Sequence, residues 1–190
     1  MKIIFICTKS ITFNTFLKSQ ANFFLKKKYE VEVACSDIEN LNFKCNFKHK
    51  IEFPTKILDL FNLFKYVRIF IQIKKITNKN SSTLFFIHTP VAAYLFRLFT
   101  FFEKIKIIYF VHGFRFTSTT NIFKKFILKI IEKILSKKTD LFITINNEDY
   151  NYTLKNLTKR TSCYKVSGVG LNPASKYYRK KIKKKNFIKS

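Results

Sequence analysis

Residues 2–36 read KIIFICTKSITFNTFLKSQANFFLKKKYEVEVACS, and the fold is decided there. Lys2 to Cys7 is a continuous run of β-branched and aromatic residues, the pattern of a strand buried on both faces. The segment that follows, to about Lys28, carries Phe16, Leu17, Phe23 and Phe24 at near-helical spacing, and Thr12 or Asn14 can cap it. Glu30 to Cys35, EVEVAC, is a second strand. A strand, a helix and a strand in so short a stretch make a βαβ unit, and strands joined this way run parallel.

The alternation continues outward from that unit. Ser36 to Lys48 is polar and irregular, and His49 to Phe53 reads as a short strand stopped by Pro54. A helix is expected from Ile57 to Thr77, with Leu60, Phe61, Phe64, Val67, Phe70 and Ile71 as its apolar stripe. Further strands are expected at Thr83–Ile87, Ile105–Val111, Leu141–Ile145 and Ser162–Val166. Helices are expected from Pro90, from Asn121 to Lys138, and from Asn147 to Leu157. This order predicts an α/β fold: a single Rossmann-like domain with a mostly parallel sheet and helices on both faces. The length, 190 residues, suits one such domain and is too short for two. We place the domain at residues 1–172 and read 173–190, rich in Lys, Arg and Tyr, as a basic linker or tail.

The formal net charge is +26, which predicts attraction to phosphates on nucleic acid, lipid headgroups or nucleotide-like substrates. A broad bias toward Lys, Asn, Ile and Phe is the competing source of that charge. Cys7, Cys35, Cys45 and Cys163 form no CxxC pair and no zinc spacing, so free thiols in a reducing compartment are expected, and no metal. The apolar run after Met1-Lys2 is too short for a signal peptide. No run reaches the roughly 18–20 residues that span a bilayer, and Val91 to Phe102 is interrupted by Arg97. A cytoplasmic protein is expected, peripheral at the inner face of the membrane.

There are three glycines, Gly113, Gly168 and Gly170, and each follows an expected strand. Glycine serves where the backbone needs positive φ or close approach to another group, and open parallel sheets bind ligands beyond the C-terminal ends of their strands. His112-Gly113-Phe114-Arg115-Phe116 and Ser167 to Gly170 are therefore site candidates, with His88-Thr89-Pro90 at the equivalent end of another strand. Both His88 and His112 could instead be hydrogen-bonded core residues, and His49 reads as structural. Glu148 and Asp149 fall in a first helical turn, where acids complement the helix dipole. Thr8-Lys9-Ser10 after the first strand lacks glycine, which argues against a dinucleotide-binding dehydrogenase, and P-loop, HExxH and GxSxG motifs are absent.

At this point a family resemblance is visible. Residues 2–36, FFIHTPVAAYLFRL (85–98), KIIYFVHGFRF (106–116), IEKILSKKTDLFITINNEDY (131–150) and VSGVGLN (166–172) stand in the order and approximate spacing of a known N-terminal domain. The chain resembles that of family 4 glycosyltransferases of the GT-B fold, of the kind that build bacterial capsule, O-antigen and exopolysaccharide. The resemblance implies transfer of a sugar from a nucleotide-sugar to a polyprenyl-diphosphate-linked acceptor, with no cofactor beyond the nucleotide-sugar substrate. It implies that His112 contacts the donor sugar near the reacting carbon, and that Gly113, Phe114 and Arg115 shape that loop. Thr8, Ser10 and Thr12 would face donor phosphates and acceptor, and Gly168 and Gly170 would begin the crossover to a second domain; His88 and Thr89, at their own strand end, are read as substrate-binding candidates. That second domain, with its E-x7-E motif, is not in the sequence. A separate donor-binding chain, a truncated remnant and one domain of a longer protein are the alternatives.

The segment from Asn121 to Lys138 is a basic amphipathic helix. Its apolar face, Ile122, Phe123, Phe126, Ile127, Ile130, Ile131 and Ile134, can pack as core or lie on an anionic membrane surface. A non-catalytic membrane-docking subunit is the second functional reading. A basic nucleic-acid-binding module is the third, disfavoured by the absence of any helix-turn-helix, RNP, KH or zinc-finger pattern, so no nucleic-acid partner is expected.

Overall fold

The structure is a computed structural model and describes residues 1–55, 62–78, 82–116, 120–158 and 161–168. Gly170 and the expected tail, 173–190, lie outside the described residues. The strands are β1 (Lys2–Ile6), β2 (Glu30–Cys35), β3 (Phe47–Lys50), β4 (Thr83–Ile87), β5 (Lys106–Val111), β6 (Leu141–Thr144) and β7 (Ser162–Lys165). They form one sheet in the order β3-β2-β1-β4-β5-β6-β7, and every pairing is parallel. The sheet is the expected Rossmann-like architecture.

Because strand side chains alternate between faces, each strand contributes to two cores. Ile4 and Ile6 of β1 join Phe85, Ile87, Ile107 and Tyr109 in one. Ile3 and Phe5 join Val31, Val33, Phe86 and Phe110 in the other. The first is covered by α3 (Leu63–Thr77), α4 (Pro90–Phe99), α5 (Ile122–Leu135) and α6 (Asn147–Asn156). The second is covered by a helical run of α1 (Ser10–Thr12), a π-helical turn (Phe13–Leu17) and α2 (Lys18–Lys26), through Phe13, Leu17 and Ala21.

Four expectations change at the element level. The first helix starts at Ser10 rather than beyond Thr12 or Asn14. Asn14 lies inside the run and instead joins the Asn40 carbonyl and the Asn42 amide. The third strand is Phe47–Lys50 rather than His49–Phe53. Ile51 and Phe53 are buried but serve the core from the segment after it. In α3 the core takes Ile69, Ile73 and Ile76, while Phe64, Val67, Phe70 and Ile71 of the expected stripe are exposed, and Leu60 and Phe61 lie outside the described residues.

The fourth change concerns α5, where Glu132 and Leu135 are buried and the apolar stripe faces out. Glu132 accepts two hydrogen bonds from Arg97 of α4, each 3.1 Å, and both side chains are fully enclosed. Arg97 also donates from Nε to the Ala93 carbonyl and sits over the Tyr109 ring, 4.4 Å from its centre. A charge that interrupts an apolar run is thus satisfied by a partner 35 residues away in sequence.

Candidate active site at the switch point of the sheet

The strand order reverses between β1 and β4, which pair with each other while their successors run to opposite edges. In such sheets the crevice beyond the C-terminal strand ends at this point is the preferred ligand site. The residues that leave β1, β4 and β5 there are Thr8, His88-Thr89 and His112.

A short polar bridge closes the base of the crevice. The Thr89 hydroxyl accepts from the Thr8 amide at 2.8 Å and contacts the Thr8 hydroxyl at 2.6 Å. Thr89 is also the N-cap of α4, yet makes no side-chain cap bond to its own helix. The first amides of α4 therefore keep their partial positive charge at the crevice end, which suits a phosphate or a sugar oxygen. Pro90 occupies the first turn, as expected.

His88 is completely buried. Its ring stacks between Phe5 and Phe110, with centres 5.6 and 5.3 Å away. Its Nδ1 lies 3.3 Å from Nε2 of His112. Burial first, and the neighbouring His112 second, hold its pKa well below the ordinary imidazole range. Burial likewise holds His112 down to about 4. Both rings are therefore neutral near pH 7, and one proton lies between them. If His88 Nδ1–H donates, its partnerless Nε2 is only a bare lone pair. The reverse assignment would bury an unpaired N–H, which costs more. The cheaper arrangement leaves His112 with its proton on Nδ1. His88 thus stands behind His112 and fixes its tautomer.

The loop after β5 is held by α6. Gly113 has φ of 131°, a conformation that only glycine adopts without strain. The Phe114 amide donates to Asp149 Oδ1 at 3.4 Å. Asp149 Oδ2 accepts from Asn146 Nδ2 at 2.6 Å, and the Asn146 side chain caps the helix at the Asp149 amide. Phe114 and Phe116 stack at 4.9 Å, and both meet Tyr152 edge-on. Arg115 remains exposed.

The expected site residues therefore separate. Thr8, Thr89, His88 and His112 come together, and Phe16 of the π-helical turn reaches the same place, its ring centre 6.2 Å from that of His112. Ser10 is turned inward, its amide bonded to Asp37 Oδ1 at 2.7 Å. Thr12 is half-buried in the first helical turn. Gly168, with φ of 99°, is exposed beyond β7. Asp149 and Phe16 escaped the sequence reading: an acid in a first helical turn and an aromatic on a helix already have ordinary explanations. Among the described residues no group of His, Cys, Asp and Glu could hold a metal ion, and all four cysteines are free. His49 is bonded to Glu32 at 2.6 Å, away from this crevice.

A doubly wound parallel sheet with polar groups gathered at its switch point is a Rossmann-like α/β domain. The chain belongs to the Glycosyl transferase 4-like family, which matches residues 2–146. It is 31% identical over 177 residues to the EpsD glycosyltransferase of Bacillus subtilis (strain 168), covering 90% of this chain and 44% of that protein. Solved structures agree in fold. Sucrose-phosphate synthase of Thermosynechococcus elongatus superposes with a TM-score of 0.64 at 9% identity, over 87% of this chain and 47% of that one. UDP-N-acetylglucosamine 2-epimerase of Rickettsia bellii gives 0.62 at 13%, over 100% and 48%. Anabaena HepE in complex with UDP and glucose gives 0.55 at 11%, over 98% and 50%. The chain spans about half the length of each of these proteins.

Proposed function

We propose that this domain forms the acceptor-side half of a glycosyltransferase, which moves a sugar from a nucleotide-sugar to a polyprenyl-diphosphate-linked acceptor during surface polysaccharide synthesis. In this reading the nucleotide-sugar is the substrate and no metal or other cofactor takes part. The donor site is completed by a second domain, on the same chain or on a separate one, at the cytoplasmic face of the membrane. The observation that carries the reading is His112, held neutral by its burial and oriented by a buried histidine at the switch point of a family 4-like sheet. Its Nδ1–H can hydrogen-bond a donor-sugar oxygen without placing a positive charge in the crevice. The uncapped start of α4 suits the phosphate oxygens of either substrate.

The test is transfer from a panel of nucleotide-sugars to lipid-linked acceptors, with the chain joined to a donor-binding half. His112→Ala is expected to lower kcat by about 10²–10³, the scale of one positioned hydrogen-bonding group. Transfer at the unaltered rate would remove the catalytic role and leave the reading of a docking subunit.

A further inference from the structure

We infer that the outer face of α5 is a docking surface for an anionic lipid bilayer. The inference rests on the lipid-linked acceptor proposed above, but its readout is independent of turnover. In most surface helices the apolar stripe faces the core and the charges face water. In α5 this is reversed. Its one acidic residue, Glu132, is turned inward against Arg97, and both are sealed from solvent. The opposite side presents Ile122, Phe123, Phe126, Ile127, Ile130 and Ile134, with Ile122 86% and Phe123 72% exposed.

The charge around that stripe has one sign. Lys124, Lys133 and Lys137 are exposed beside it, and the helix offers no exposed carboxylate to oppose them. An apolar stripe edged by lysines matches the boundary between acyl chains and anionic headgroups. No helix among the described residues is long and apolar enough to cross a membrane, so the expected mode is lying on the surface. The position also fits. α5 follows β5, so it begins at the end of the sheet that carries His112, and a bilayer on its outer face would lie beside the crevice. α3, across α4 on the same side, adds exposed Phe64 and Val67 to the outward apolar surface.

The chain contains no tryptophan, so Phe126→Trp installs a single reporter on the face. Its emission is expected to shift to the blue on adding phosphatidylglycerol-containing vesicles, and to shift little with phosphatidylcholine alone. In flotation with the same vesicles, Phe123→Asp/Ile130→Asp and Lys124→Glu/Lys133→Glu are each expected to weaken binding by about tenfold or more. Both double variants should keep the circular dichroism and melting temperature of the parent, because the altered side chains are exposed. Binding unchanged in both variants, or equal for neutral and anionic vesicles, would overturn the inference. So would a blue shift that grows with protein concentration without lipid, which would mark a second copy on the face. A blue shift produced by DNA and not by vesicles would overturn it as well. Transfer to a water-soluble acceptor separates the two readings: the α5 variants keep it if the bilayer inference holds, whereas a silent His112→Ala removes the catalytic reading and leaves vesicle binding standing.

Discussion

Two buried imidazoles that stay neutral in the fold make stability depend on acid. Burial lowers both histidine pKa values in the folded state, to about 4 for His112 and well below the ordinary value for His88. As pH falls through about 6.5, the unfolded chain takes up these protons before the native one does. The stabilisation is therefore complete above about pH 6.5 and is lost as pH falls from there toward 4. The expected slope approaches about 1.4 kcal/mol per pH unit for each histidine that stays unprotonated in the fold. Urea unfolding at pH 7.5 and 5.5 measures it. His88→Phe, which keeps an aromatic ring between Phe5 and Phe110, should reduce the slope by about half. An unchanged slope would mean that His88 is protonated in the fold. Glu32, whose burial is outweighed by hydrogen bonds from Lys2 and His49, adds a stabilisation that is complete above the ordinary carboxyl range and is lost only as pH falls below it, outside this window. At this scale Thr89 and His112 were legible because they follow strands of a parallel sheet, whereas Thr8 was legible only through the family resemblance. Asp149 was not, because its bond to the Phe114 amide joins segments 35 residues apart.

Hydrophobic spacing marks which side of a helix is apolar but not which side packs, and α3 and α5 show the difference. In α3 the sequence stripe and the buried stripe are neighbours: Ile69, Ile73 and Ile76 are buried, while Ile71 is exposed and Phe70, also exposed, meets the Phe99 ring edge-on. In α5 the two are opposed, and the orientation is set by the Arg97–Glu132 pair. That pair could not be read from one sequence, since an arginine in an apolar run gives no sign of its partner. Its energetic consequence is specific. Removing one member leaves the other buried without a counter-charge, which costs about 3–5 kcal/mol. Glu132→Gln is therefore expected to lose that much in urea unfolding. Arg97→Met/Glu132→Leu should recover most of the loss, because desolvation of both charges is removed together. A loss below about 1 kcal/mol for Glu132→Gln would show that the helix is held by Leu128 and Leu135 instead. The strands, by contrast, were legible to within a few residues, because a continuous apolar run fits a parallel sheet covered on both faces.

For the whole molecule, the order β3-β2-β1-β4-β5-β6-β7 places the switch point near the middle of the sheet. β1 pairs with β2 and β4, and β4 with β1 and β5, so both have hydrogen-bonded neighbours on each side. Their side chains feed both cores. The edge strands β3 and β7 each have one partner and are largely exposed. Opening an edge strand exposes little apolar surface, whereas opening β1 or β4 disrupts both cores at once. Native-state hydrogen exchange should accordingly find the slowest amides in β1 and β4, released only by global unfolding. β3 and β7 should exchange by local opening at lower free energy. The Thr8–Thr89 bridge and the His88–His112 contact extend from the protected strands, so the crevice would share their rigidity while the ends of the sheet fray. Protection in β7 equal to that in β1 would contradict this ordering, and would mean that the sheet opens as one unit rather than inward from its edges.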